Sequence, residues 1–145
     1  MFKHLLLATD GTRRSESAIR KAMQVAKSAG AKVTGFYAIP PFHVLTHRPE
    51  MLSHSKEQHA KSSAAHAAAY LAVIEQAARQ VGVPCDIVSA PGAQPYRSIL
   101  KLAEEKGCDL IMMASRGNRG LQRLLSGSET QKVLTRSRIP VLVYR

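Results

Sequence analysis

The sequence predicts an α/β protein, a single doubly wound domain built on a five-stranded parallel sheet with helices on both faces. Three observations carry that reading. Five short apolar runs alternate with stretches of helical periodicity, the pattern of a parallel sheet with crossover helices. The fourth run, DLIMMAS at 109–115, is continuously apolar, as a strand covered on both faces must be. Gly or Pro marks the junctions at Gly11, Gly30, Pro40-Pro41 and Pro91-Gly92. Right-handed crossovers then leave only a few doubly wound arrangements.

The first strand is HLLLAT (4–9), ended by Asp10-Gly11. ESAIRKAMQVAKSAG (16–30) places Ala18, Ile19, Ala22, Val25, Ala26 and Ala29 at helical spacing and stops at Gly30. KVTGFYAI (32–39) is rich in β-branched and aromatic residues and ends at Pro40. Residues 40–53 hold three prolines and two of the six histidines, and read as an irregular, mobile loop. The next segment, 54–82, is rich in Ala, Leu, Glu and Gln, so summed propensity predicts a long helix. PCDIVSA (84–90) is the third strand, and YRSILKLAEEKG (96–107) a helix striped by Ile99, Leu100, Leu102 and Ala103. After the fourth strand, GSETQKVLTRS (127–137) reads as a helix and IPVLVY (139–144) as a final strand at the sheet edge. No internal repeat or low-complexity tail interrupts the order.

The length of 145 residues and the hydrophobic fraction of 45% suit one core, expected to span 1–145 as one domain. No apolar stretch approaches the roughly 18–20 residues that a bilayer span needs. The opening MFKHLLLATDG is interrupted too soon for a signal peptide, so the expected address is the cytoplasm and no membrane partner is expected. The two cysteines, Cys85 and Cys108, form neither a disulfide framework nor a CxxC pair, and both read as small buried residues beside strands. A formal charge of +11 predicts an anionic partner: nucleotide, nucleic acid or anionic membrane. With no Trp, three Phe, four Tyr and no stacking stripe, nucleic acid is the weaker choice.

In doubly wound sheets, ligands bind beyond the carboxyl ends of the strands, where the winding reverses. The relevant ends are at Thr9 and Asp10, at Ala38, and at Ala114-Ser115. From Ala114 the chain runs ASRGNRGLQRLLSGSETQKVL. Gly117 and Gly120 lie in this loop, and Gly127-Ser128 open the last helix. Gly127 lets a ligand approach the backbone, Ser128 can cap, and free amides at a helix start attract anions. Arg116, Arg119 and Arg123 add guanidinium groups, completing a phosphate cradle.

Sharper motifs fail. Walker A needs Lys after its second Gly, where Ser128 stands. GxGxxG is absent, and GNRG (117–120) follows a strand, whereas the GxxG clamp of KH-type RNA binders joins two helices. Phosphatases of the haloacid dehalogenase type carry Asp-x-Asp-Gly-Thr at this first-strand end. Here Ala8 stands in place of their nucleophile, and Asp10-Gly11 also suits a tight turn. The nucleophile elbow G-x-S-x-G is missing, and no carboxylate pair suited to acid–base work lies near the strand ends. The residues therefore read as a binding protein with no catalytic residues. His43 and His47 share i, i+4 spacing, but prolines surround them. With His54, His59 and His66 they read as a solvated, pH-sensitive loop and no metal site.

The glycine loop and both terminal strands resemble the universal stress proteins. Nucleotide-binding members carry G-2x-G-9x-G-(S/T) between the fourth strand and the last helix. Here the pattern falls on Ala114, Gly117, Gly127 and Ser128, with nine residues (118–126) between the last two glycines. LLLATDGT resembles the family's T-D-G-S strand end, and IPVLVYR its last strand, so the likeness covers essentially the whole chain. The departure is Ala114, where the pattern has its first glycine.

The resemblance implies an adenine nucleotide alpha-hydrolase-like fold with strand order 3-2-1-4-5. It implies ATP or AMP, with or without Mg, held non-covalently. Thr9, Asp10 and Ala38 would line the adenine and ribose. Ala114, Arg116, Gly117, Gly120, Gly127, Ser128 and Glu129 would surround the phosphates. It further implies a homodimer through the strand between Ile139 and Tyr144, an unidentified protein partner, and a role as a stress-response sensor or regulator. Chemistry would be at most slow ATP hydrolysis or autophosphorylation. Two other readings stay open: a protein of the same fold that binds no nucleotide and acts by protein contacts, Ala114 marking the loss, and a basic nucleic-acid-associated protein.

Overall fold

A computed structural model of the chain describes residues 1–9, 14–39, 55–114 and 127–144. The elements are β1 (His4–Thr9), α1 (Arg14–Ala29), β2 (Lys32–Ile39), α2 (Ser55–Val81), β3 (Cys85–Pro91), α3 (Pro95–Glu105), β4 (Leu110–Ala114), α4 (Gly127–Arg136) and β5 (Val141–Tyr144). All strands are parallel, in the order β3-β2-β1-β4-β5. The expected doubly wound sheet of order 3-2-1-4-5 is the one observed. Element boundaries move by a residue or two. The final strand starts at Val141 because Ser137 and Ile139 close a short turn, the Ser137 hydroxyl donating to the Ile139 carbonyl and accepting from its amide.

β1 lies at the centre, and every one of its residues is buried. Its alternation splits the core in two. Leu5 and Leu7 join Met23, Val33, Leu71, Ile74 and Met112 under α1 and α2. Leu6 and Ala8 join Phe36, Tyr96, Ile99, Ile111, Met113 and Val133 under α3 and α4. Period-2 alternation in a strand buried on both faces is what lets one apolar run serve both layers. α2 approaches β2 closely at Gly35, where an added Cβ would stand 2.9 Å from Ile74 Cγ2 and 3.0 Å from Cδ1.

Three helices end in the same way. At the end of α1, Gly30 turns left-handed (φ 67°), its amide donates to Lys27 O, and the Ala31 amide reaches Ala26 O. This pair of bonds satisfies carbonyls that would otherwise be orphaned. The same pair closes α2 at Gly82 and α3 at Gly107. The apolar residue after each glycine (Ala31, Val83, Cys108) is buried, so the chain re-enters the sheet at once.

The amino ends of the strands are fastened by polar contacts. The Asp109 carboxylate accepts from the Lys3 amide at 2.8 Å and the His4 amide at 3.0 Å. Burial raises its pKa, but these amide bonds outweigh it and hold the carboxyl below its usual range. Beside it, His4 is buried, with Nδ1 3.1 Å from Lys106 O and Nε2 2.7 Å from Thr34 Oγ1. A carbonyl only accepts, so Nδ1 carries the proton and Nε2 of the neutral ring accepts from the threonine hydroxyl. Burial first, and Lys32 second, lower the His4 pKa below 6.5. Cys85 opens β3 and Cys108 precedes β4. Burial pushes both thiols up to about 11, which leaves them protonated and unreactive near neutral pH.

Candidate functional site

The winding fixes where a ligand can sit. β1 leads into α1 on one face of the sheet, and β4 leads towards α4 on the other. Adjacent strands β1 and β4 are therefore followed by helices on opposite faces, the switch point beside which ligands bind in doubly wound sheets. β1 and β2 are in register at Thr9 and Tyr37, with β1 and β4 in register at Ala8 and Met113. Thr9, Ala38 and Ala114 thus stand at nearly one height on three neighbouring strands, as the sequence predicts.

Their side chains do not all point the same way. Ala38 belongs with Phe36 and Tyr96 in the layer under α3 and α4. Thr9 and Ala114 have the parity of Leu7 and Met112, which face α1 and α2. All three are buried. No described non-glycine residue has a positive φ, so Ala114 sits in an ordinary strand conformation and its methyl costs no backbone strain. Of the other expected site residues, Asp10, Arg116, Gly117 and Gly120 lie outside the described residues.

The remaining three begin α4. Gly127 is its first residue and Ser128, exposed, its second. Glu129, the third, is committed elsewhere. Its Oε2 accepts from the Tyr96 amide at 3.0 Å, and its Oε1 lies 3.5 Å from Lys132 Nζ. The reason lies in α3, whose N-cap residue Gln94 makes no side-chain capping bond. A carboxylate from the neighbouring helix satisfies an amide in its first turn and complements the positive end of its dipole. Glu129 and Tyr96 are 33 residues apart, beyond the reach of any local capping pattern.

Sequence reasoning passed over Thr130. It is buried in the first turn of α4, and among the described residues its Oγ1 has no hydrogen-bond partner. Buried hydroxyls are seldom left unsatisfied, and such an atom calls for a ligand, a water or an ion. A Thr three residues after the loop's last Gly was the available signal.

The arrangement defines a class: a doubly wound α/β protein in which the strand beside the switch point is followed by the helix that starts at Gly127. The chain belongs to the universal stress protein family, whose family model matches residues 1–145. It is 31% identical to universal stress protein YxiE of Bacillus subtilis, covering 100% of both chains. With universal stress protein MJ0531 of Methanocaldococcus jannaschii it shares 29% identity, over 100% of this chain and 83% of that one. Among solved structures, that of MJ0577 superposes with a TM-score of 0.79 at 25% identity, covering 99% of this chain and 95% of that one. A universal stress protein in complex with cAMP superposes at 0.71 and 25% identity, covering 99% and 97%.

Proposed function

We propose that the chain binds an adenine nucleotide, ATP or AMP, at the carboxyl ends of β1, β2 and β4, and acts as a nucleotide-tuned regulator in the stress response. The reading is carried by the switch point between β1 and β4 together with the G-9x-G-S spacing that ends at the start of α4. Thr9 and the backbone at Ala38 meet the nucleoside. Asp10, through its carboxylate, hydrogen-bonds in the same pocket. Ala114, Gly117, Gly120, Gly127 and Ser128 present backbone and hydroxyl donors to the phosphates, with Arg116 supplying charge. Thr130 Oγ1, which has no hydrogen-bond partner among the described residues, gains one. The likeness to a relative crystallised with cAMP supports the adenine class, and the net charge of +11 favours an anionic ligand.

The reading extends to assembly. Among the described residues β5 is an edge strand paired only with β4, and Leu142 on it is 41% exposed. An apolar open edge favours pairing with another chain, and a second copy through β5 is the partner proposed.

Calorimetric titration of nucleotide-stripped protein with ATP and AMP, beside Gly127→Val, tests the site. Binding by the parent and none by the variant is the expected result. An absence of heat with a folded parent overturns the nucleotide reading and favours the form of the fold that acts by protein contacts.

A further inference from the structure

Tyr96 is the second residue of α3 and lies buried against α4. Its hydroxyl oxygen accepts from Arg97 Nε at 2.9 Å and from Arg136 Nη1 at 3.0 Å. Three cations surround the ring: Arg136 Cζ at 5.0 Å from the centroid, Lys132 Nζ at 5.2 Å and Arg97 Cζ at 5.8 Å. Glu129, Lys132 and Arg136 form one stripe of α4, at i, i+3 and i+7, which brings them to the same side of the helix.

The charges in this cluster do not balance. Lys132 has Glu129 as its acid. Among the described residues, neither Arg97 nor Arg136 has a carboxylate within ion-pair distance. Two guanidinium groups thus converge on one neutral phenol oxygen, where like charges repel. Each has spent one N–H on that oxygen, and a guanidinium carries five. Both forks therefore remain open for an acceptor with several oxygens. The same surroundings hold the Tyr96 hydroxyl below its usual pKa, chiefly through the bond from Arg97 and then through the charge of Arg136 and its neighbours, against the raising effect of burial.

We propose that Arg97 and Arg136, fixed over Tyr96, form a second anion site that takes a phosphate-type oxyanion. A dianion cancels the two charges that have no carboxylate partner among the described residues, and its tetrahedral oxygens offer each guanidinium its own pair, whereas a single carboxylate neutralises only one. Tyr96 positions the two forks. Arg97 and Arg136 are outside the set assigned to the nucleotide. The occupied site ties the first turn of α3 to the last turn of α4, the helix that begins at Gly127.

The test is a titration with inorganic phosphate replacing chloride at constant ionic strength, in mildly alkaline buffer where inorganic phosphate is mainly the dianion. NMR follows the Tyr96 ring signals in the parent and in the Arg97→Gln/Arg136→Gln variant, and the Arg97 Nε–H signal in the parent. The expected result is a saturable shift of the Tyr96 signals in the parent, with affinity at least about tenfold weaker in the variant, as the loss of two charge-assisted contacts requires. Both substituted side chains are exposed, and circular dichroism checks that the variant keeps its fold. The proposal is overturned by a Tyr96 response that never saturates, by a variant that titrates like the parent, or by shifts confined to the amides of 127–130. That last pattern assigns phosphate to the glycine loop alone.

Discussion

Glu129 separates a structural role from a ligand role, and its replacement distinguishes them. Glu129→Ala removes the acceptor of the Tyr96 amide, a part-buried bond of 3.0 Å. Leaving such a donor unsatisfied costs about 1–3 kcal/mol. Loss of a carboxylate at the start of α3 costs a further ~0.3–1 kcal/mol. The Lys132 pair, with the lysine 45% exposed, adds at most about 0.5 kcal/mol. The sum is about 3 kcal/mol, which for a chain of this size lowers Tm by roughly 6–12 °C. Glu129→Gln keeps an oxygen acceptor and should lose less than half of that. Thermal and urea unfolding measure both variants, and hydrogen exchange at the Tyr96 amide localises the effect. If the carboxylate belongs to α3, ATP affinity in Glu129→Gln stays within about threefold of the parent, less than the loss of one charged contact. Unchanged stability in Glu129→Ala together with a tenfold loss of ATP affinity would refute the capping assignment.

Three further outcomes are expected. Gly35→Ala drives a methyl to within 2.9 Å of the buried Ile74 and should destabilise by about 1–3 kcal/mol, with Gly35→Ala/Ile74→Ala costing less than the sum of the two single changes by urea unfolding. His4 has a folded pKa below its unfolded 6.5, so the unfolded state takes up the proton first. Stability is then full above pH 6.5 and falls as the pH drops below it, and this slope should flatten in His4→Gln when unfolding is followed across that range. Thr130→Val removes a buried hydroxyl that is unsatisfied among the described residues, so the ligand-free protein should be as stable or slightly more so, while ATP binds roughly fivefold more weakly, about 1 kcal/mol; equal ATP affinity would exclude a ligand role for this hydroxyl.

Much of the fold was legible because its signals are local. The alternation in β1 and the unbroken apolar run of β4 encode burial on two faces, and Gly30 and Gly107 mark helix ends by the conformation they alone enter easily. The edge position of β5 followed from order alone. The height of Thr9, Ala38 and Ala114 was legible too, since strand ends define the level of a crevice. What escaped was non-local. The Tyr96 hub depends on α3 and α4 packing side by side, and its partners Glu129 and Arg136 lie 33 and 40 residues away. Arg136 lies in the last turn of α4, where a cation suits the helix dipole, and that local fit is silent about the phenol it faces. His4 and Asp109 likewise met only when β1 and β4 paired.

The central claim is that a nucleotide occupies the carboxyl ends of β1, β2 and β4. Its most direct test is an amide chemical-shift map of the full chain on titration with ATP. Saturable shifts are expected at Thr9, Ala38, Ala114 and Gly127 to Thr130, with His4, Lys32 and Asp109 at the opposite end of the sheet unmoved. Saturable shifts centred on that opposite end, or no shifts at all in a folded protein, would contradict it.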